Sequence, residues 1–149
     1  MKSIISICIT LFFTFVCACE RVEENYLSEN VEYAAAQYDL LIEKLGKNGK
    51  PWAPRTVDTK GNIVYARNVW DWTSGFFAGS LWYLYNLTGD EKWKTLAKKY
   101  TEALKQQQYI TSHHDVGFII GCSYLNGMRM GQEAYDTIIV QAAKSLSTR

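Results

Sequence analysis

His113-His114-Asp115-Val116-Gly117-Phe118-Ile119-Ile120-Gly121-Cys122 is the stretch that decides how this chain folds. Two imidazoles and a carboxylate stand at its head, and from Gly117 onward the residues are apolar on every side. A helix that is apolar all round belongs in an interior rather than on a surface. Its first residues therefore mark the mouth of a buried helix. A carboxylate there gains from the helix N-terminal dipole, and the low dielectric raises the stakes of every charge. Asp115 carries two readings at this point. In one it is an N-cap beside surface-loop histidines. In the other, it and the histidines are protonatable groups placed for chemistry.

Working outward, the same pattern occurs upstream. Trp70-Asp71-Trp72-Thr73-Ser74-Gly75-Phe76-Phe77 again places polar residues before an apolar run, which continues to Leu87. Thr73 or Ser74 is the expected cap of that helix. Gly75 and Gly117, Gly79 and Gly121, and Gly89 and Gly131 are each 42 residues apart, as are Trp93 and Tyr135. Behind each apolar helix lies an amphipathic one. The first runs from about Glu91 to Gln108 with Trp93, Leu96, Ala97, Tyr100 and Leu104 on one face. The second runs from Gln132 to Leu146 through Tyr135, Ile138, Ile139, Ala142 and Leu146. The unit is a helical hairpin with one buried and one half-buried helix.

Gly75 with Gly79, and Gly117 with Gly121, are pairs of small residues four apart that let neighbouring helices approach closely. The alternation of half-apolar and wholly apolar helices favours a closed α/α toroid over an open solenoid, whose helices all keep a solvent face. In a toroid the segments before the inner helices share one rim. Asp71, Trp72, His114 and Asp115 then line one pocket.

Before the repeat, a helix is expected from about Ser28 to Leu45, with Val31, Ala34, Tyr38, Leu41 and Leu45 on one face and Gly46 as its stop. Residues 47–69 read as a long loop, with Asn62-Ile63-Val64-Tyr65 as one short strand. Residues 1–18 read as a signal peptide: Lys2 supplies the positive start, and Ile4 to Val16 is an apolar stretch too short to span a bilayer. The ending Val16-Cys17-Ala18-Cys19 fits a bacterial lipoprotein box with Cys19 as the lipidated residue, and Ala18 also suits plain secretory cleavage. Residues 19–27 then form a polar tether, and residues 28–149 the helical domain. This places the chain in the bacterial cell envelope, lipid-anchored or secreted, with membrane contact only through the lipid.

The 149 residues are 48% hydrophobic and 21% charged, which suits a packed core and argues against disorder. The net charge is +1 and no basic run occurs, so no nucleic-acid partner is expected. Of four cysteines, Cys8 and Cys17 leave with the signal and Cys19 is terminal, so Cys122 is left as a small core residue. No disulfide framework, metal cluster or cofactor is expected. Aromatics reach 14%, a content that suits stacking on sugar rings as well as an ordinary aromatic core.

Asp71-Trp72-Thr73-Ser74-Gly75-Phe76-Phe77-Ala78-Gly79-Ser80-Leu81-Trp82, Thr88-Gly89-Asp90 and His113-His114-Asp115-Val116-Gly117-Phe118 together resemble the unsaturated glucuronyl hydrolases of glycoside hydrolase family 88. The resemblance runs from about residue 28 to the last residue. It implies an all-α fold, an (α/α)6 barrel of twelve helices of which about five are readable here. It implies a substrate left by polysaccharide lyases, an oligosaccharide with a 4,5-unsaturated uronic acid at its non-reducing end. It also implies hydration of the C4=C5 double bond, followed by opening of the glycosidic bond. Asp115 takes the sugar-contacting, electrostatic catalytic role, His114 is a substrate ligand, and Trp72 packs against the unsaturated ring. The family's main acid–base aspartate falls beyond Arg149, so the chain reads as an inactive portion of such an enzyme. The alternative is a non-catalytic helical repeat module on the envelope that binds glycan or protein.

Overall fold

The structure, a computed structural model, describes residues 25–46, 52–66 and 71–148. The expected signal peptide, Cys19, most of the tether, Trp70 and the ends of the long loop lie outside the described residues. The chain divides into two units, Met1–Ile42 and Glu43–Arg149. Helix α1 covers residues 25–46 and begins three residues earlier than Ser28. Ser28 does not act as its cap; the hydroxyl donates to the Asn25 carbonyl at 3.0 Å, and Asn30 reaches back to the Tyr26 carbonyl at 2.7 Å. Val31, Ala34, Tyr38, Leu41 and Leu45 fall on its less exposed face, as their spacing requires.

The second unit opens with a two-stranded antiparallel hairpin, β1 (Pro54–Val57) and β2 (Ile63–Tyr65). Only β2 was legible as a strand. Pro54 hid its partner, because proline is tolerated at the first position of an edge strand but reads as a breaker. The turn is built by Asp58, whose carboxylate accepts from the Lys60 and Asn62 backbone N–H groups at 2.8 Å each, and by Gly61 at φ +79°.

Two helical hairpins follow. Helix α2 (Ser74–Thr88) ends at Gly89, whose φ of +68° suits a residue without Cβ, and whose N–H bonds to the Tyr85 carbonyl. Asp90 caps helix α3 (Glu91–Glu102) by accepting from the Lys92 N–H at 2.9 Å. In the second hairpin, α4 (Val116–Ile120) passes through a π-helical turn (Gly121–Leu125) into α5 (Asn126–Arg129), so α4, the π turn and α5 make one inner helix. Gly131 turns the chain at φ +89°, and a 3-10 turn (Glu133–Tyr135) leads into α6 (Asp136–Ser147). The inner helices start 42 residues apart, at Ser74 and Val116, and the two left-handed glycines keep the same spacing.

The core lies between these layers. Trp82, Trp93 and Tyr124 are fully buried, each contributing about 2 kcal/mol or more through the apolar surface it removes from water. The Trp82 indole N–H donates to Thr101 Oγ1 at 3.0 Å, which satisfies a polar atom inside the core. Phe77 meets Tyr100 edge-on at 4.7 Å, and Tyr124 meets Tyr135 at the same distance.

Two expectations are corrected. Helix α3 stops at Glu102 rather than Gln108; the chain tightens into a 3-10 turn over Lys105–Tyr109. That turn buries Gln107 and Gln108 and offers the Gln108 carbonyl to the Ser145 hydroxyl of α6 at 2.7 Å, a partner 37 residues away that no local signal reveals. The inner helices are also not buried all round. Phe76, Tyr83, Leu87 and Phe118 are exposed, because no described element covers that side of α2 and α4.

Candidate active site

The site forms where the two inner helices begin. Asp115 occupies the N-cap position of α4, yet its side chain makes no capping hydrogen bond. It turns to the histidines instead. His114 Nε2 stands 3.3 Å from Asp115 Oδ1, and His113 Nδ1 stands 3.7 Å from Oδ2. The two imidazoles differ in setting: the His113 side chain is 16% exposed and that of His114 77%. Of the two readings of Asp115, the simple cap is therefore set aside. A cap hydrogen bond is worth about 1 kcal/mol, and here it is forgone.

Phe118 follows Asp115 by three residues, so both side chains leave the same face of the inner helix. The Phe118 ring lies 5.9 Å from Trp72 and 6.3 Å from Phe76, and Trp72 lies 5.5 Å from Phe76, all edge-on. These three rings remain 38–48% exposed. Large apolar rings left in contact with water next to a carboxylate make a surface suited to a ring with both a flat apolar face and polar edges.

Trp72 thus joins the site through Phe118, and His114 through Asp115. Asp71 is not a lining residue. Its Oδ1 accepts from the Thr73 hydroxyl at 2.6 Å and the Thr73 N–H at 3.1 Å, while Oδ2 pairs with Arg55 Nε of β1 at 3.5 Å. Asp71 therefore ties the β-hairpin to the start of α2. Thr73 sits at the N-cap position of α2 but does not cap it, because its hydroxyl is given to Asp71. Phe76 and Phe118 were missed as site residues when the chain was read alone. Their signal was present, since they occupy the same position in the two repeats. Among the described residues, no group of three His, Cys, Asp or Glu side chains gathers as a metal site.

Comparison with known proteins gives these helical hairpins and their acidic, aromatic rim a class, that of the glycoside hydrolases. A family model described as glycosyl hydrolase family 76 matches residues 43–148, and the chain belongs to that family. An unsaturated glucuronyl hydrolase of Formosa agariphila is 29% identical over the whole chain, and an unsaturated chondroitin disaccharide hydrolase of Streptococcus agalactiae is 29% identical over 62% of it. A crystal structure of an unsaturated glucuronyl hydrolase specific for heparin superposes with a TM-score of 0.63 at 40% identity over 66% of this chain. The fold is accordingly part of an α/α barrel. The matching model carries the number 76, whereas the motifs resemble family 88. Both are glycoside hydrolases, and the names of the relatives side with the motifs. The chain spans 39% of the length of the Formosa protein and 27% of the solved one.

Proposed function

We propose that this chain contributes one rim of a glycoside hydrolase site for oligosaccharides ending in a 4,5-unsaturated uronic acid, the products of polysaccharide lyases. The observation that carries this reading is the Asp115 carboxylate, withheld from capping and set one helical turn from Phe118 in the exposed Trp72–Phe76–Phe118 cluster. The names of the relatives support the same substrate class.

Ordinary glycoside hydrolysis uses two carboxylates flanking the scissile bond. Here the reaction is addition to the ring's double bond: a proton goes to C4 and water oxygen to C5. The hemiketal so formed rearranges, and the glycosidic bond opens. Trp72 packs against the flattened ring, His114 contacts a sugar hydroxyl, and Asp115 stabilises positive charge as it develops near C5. One carboxylate does not both deliver the proton and recover it from water in the right geometry. With Asp115 as the carboxylate read at this site, the 149 residues bind the sugar without turning it over.

The measurement is the loss of enol-ether absorbance when the chain meets an unsaturated disaccharide. No turnover is expected. Robust turnover that Asp115→Asn abolishes would overturn the claim of inactivity. The envelope location rests on residues 1–19 as read above, and unchanged membrane retention of Cys19→Ala would refute lipidation.

A further inference from the structure

The two rims place equivalent residues at equivalent positions and treat them alike. Asp71 and His113 are 42 residues apart, and each lies two residues before an N-cap position, Thr73 and Asp115. Neither cap side chain bonds the helix it precedes. In the first rim, the reason is visible: Asp71, only 10% exposed, takes the Thr73 hydroxyl at 2.6 Å. In the second rim, the mostly buried His113 faces the Asp115 carboxylate at 3.7 Å. The same turn thus holds a hydroxyl with a carboxylate in one repeat and a carboxylate with an imidazole in the other.

We propose that His113 is a positioning residue for Asp115: its buried imidazole, carrying hydrogen on Nδ1, holds the Oδ2 edge and leaves Oδ1, beside exposed His114, to meet the sugar. This role extends the substrate reading given above and rests on it for its consequence, though not for its geometry. At 3.7 Å the pair lies beyond hydrogen-bond distance, and catalytic contacts of this length tighten to hydrogen bonds in the complex with substrate. His113 touches no sugar in this scheme; it acts through Asp115.

The test uses the whole chain. Nitrogen-15 NMR of the histidine rings in alkaline buffer reads the His113 tautomer, and titration with an unsaturated uronic-acid disaccharide reads the consequence. The His113 ring is expected to hold its hydrogen on Nδ1, and Asp115→Asn to shift that signal. His113→Ala should weaken sugar binding about tenfold, whereas His113→Asn, which keeps an N–H donor, should stay within about threefold of wild type. A His113 signal indifferent to Asp115→Asn overturns the inference whatever the sugar does. Equal weakening by the Ala and Asn variants overturns it as well. A wild-type chain that binds no disaccharide, while its His113 signal still answers to Asp115→Asn, upholds the positioning and sinks the functional reading instead.

Discussion

Gly75 and Gly79 on α2 and Gly117 and Gly121 on the second inner helix are the same pair of positions in two repeats, and they meet opposite surroundings. A Cβ on Gly75 would land on the backbone carbonyl oxygen of Ile119, and one on Gly79 would sit 2.6 Å from the Cys122 carbonyl oxygen. A Cβ on Gly117 or Gly121 would meet nothing within 4 Å. The second pair opens instead onto an apolar groove of about 160 Å³ between α4 and α6, lined by Val116, Ile120, Leu125, Ile139, Ala142 and Leu146. One motif is thus a seam already closed between two helices, and its copy is a seam standing open among the described residues.

The closed seam runs alongside the π turn. The carbonyls of Ile119 and Cys122, which face the two glycines, accept the Ser123 hydroxyl at 2.6 Å and the Asn126 amide at 2.9 Å. Side-chain donors entering the carbonyl ladder accompany a locally widened helix. In the first repeat, the equivalent positions are Leu81 and Leu84, and α2 runs as a regular α-helix even though Ser80 and Thr88 return their hydroxyls to the Phe76 and Leu84 carbonyls.

The sharpest break of this comparison is Gly75→Ala against Gly117→Ala. The first drives a methyl into a backbone that cannot retreat and should cost about 3 kcal/mol of unfolding free energy in urea. The second fills open space inside a helix and should stabilise the chain by about 0.5 kcal/mol. Equal losses would mean that the two seams are alike after all. Next in size is a comparison of the polar anchors of the two hairpins. Thr101→Val strands the buried Trp82 N–H and should cost about 2 kcal/mol, while Ser145→Ala removes the bond to the Gln108 carbonyl for about 1 kcal/mol.

Where the repeats are truly equivalent, substitution should not tell them apart. Gly89→Ala and Gly131→Ala each force a Cβ into a left-handed backbone, for about 1 kcal/mol apiece in thermal unfolding. The smallest effect is a pH dependence centred on Tyr135 of the second hairpin. Burial pushes the Tyr135 hydroxyl above its ordinary value near 10, and its hydrogen bond to Glu102 adds to the shift. A raised folded-state value means this contribution is complete below about pH 10 and is lost as pH climbs toward the folded value, since the unfolded chain ionises first. Tyr135→Phe should flatten the alkaline fall of the urea midpoint.

Much of the fold was legible because it is governed by neighbours in sequence. The 42-residue repeat, the inner-helix starts and the turns at Gly89 and Gly131 follow from spacing and from glycine's freedom at positive φ. The end of α3 was misjudged because the 3-10 turn that follows it, Lys105–Tyr109, is held by the distant Ser145 hydroxyl, and β1 was missed because Pro54 disguised it. At the site, Trp72, His114 and Asp115 were read from their motifs; Trp72 meets the Phe118 ring, and His114 meets Asp115. Asp71 was expected beside them and serves Arg55 and Thr73 instead, a choice that depends on where the β-hairpin folds back.

By itself, then, the sequence of this protein determined its helical hairpins, their order and period, and the residue types at their rim, because helix propensity and periodicity act within a turn or two of chain. Only the tertiary structure decided which glycine pair is filled, which cap residue gives up its cap and which imidazole is buried. Those outcomes depend on what stands across from each residue in space. The matching glycines of the two repeats, with no difference in their own chemistry, show how little of that is written at the position itself.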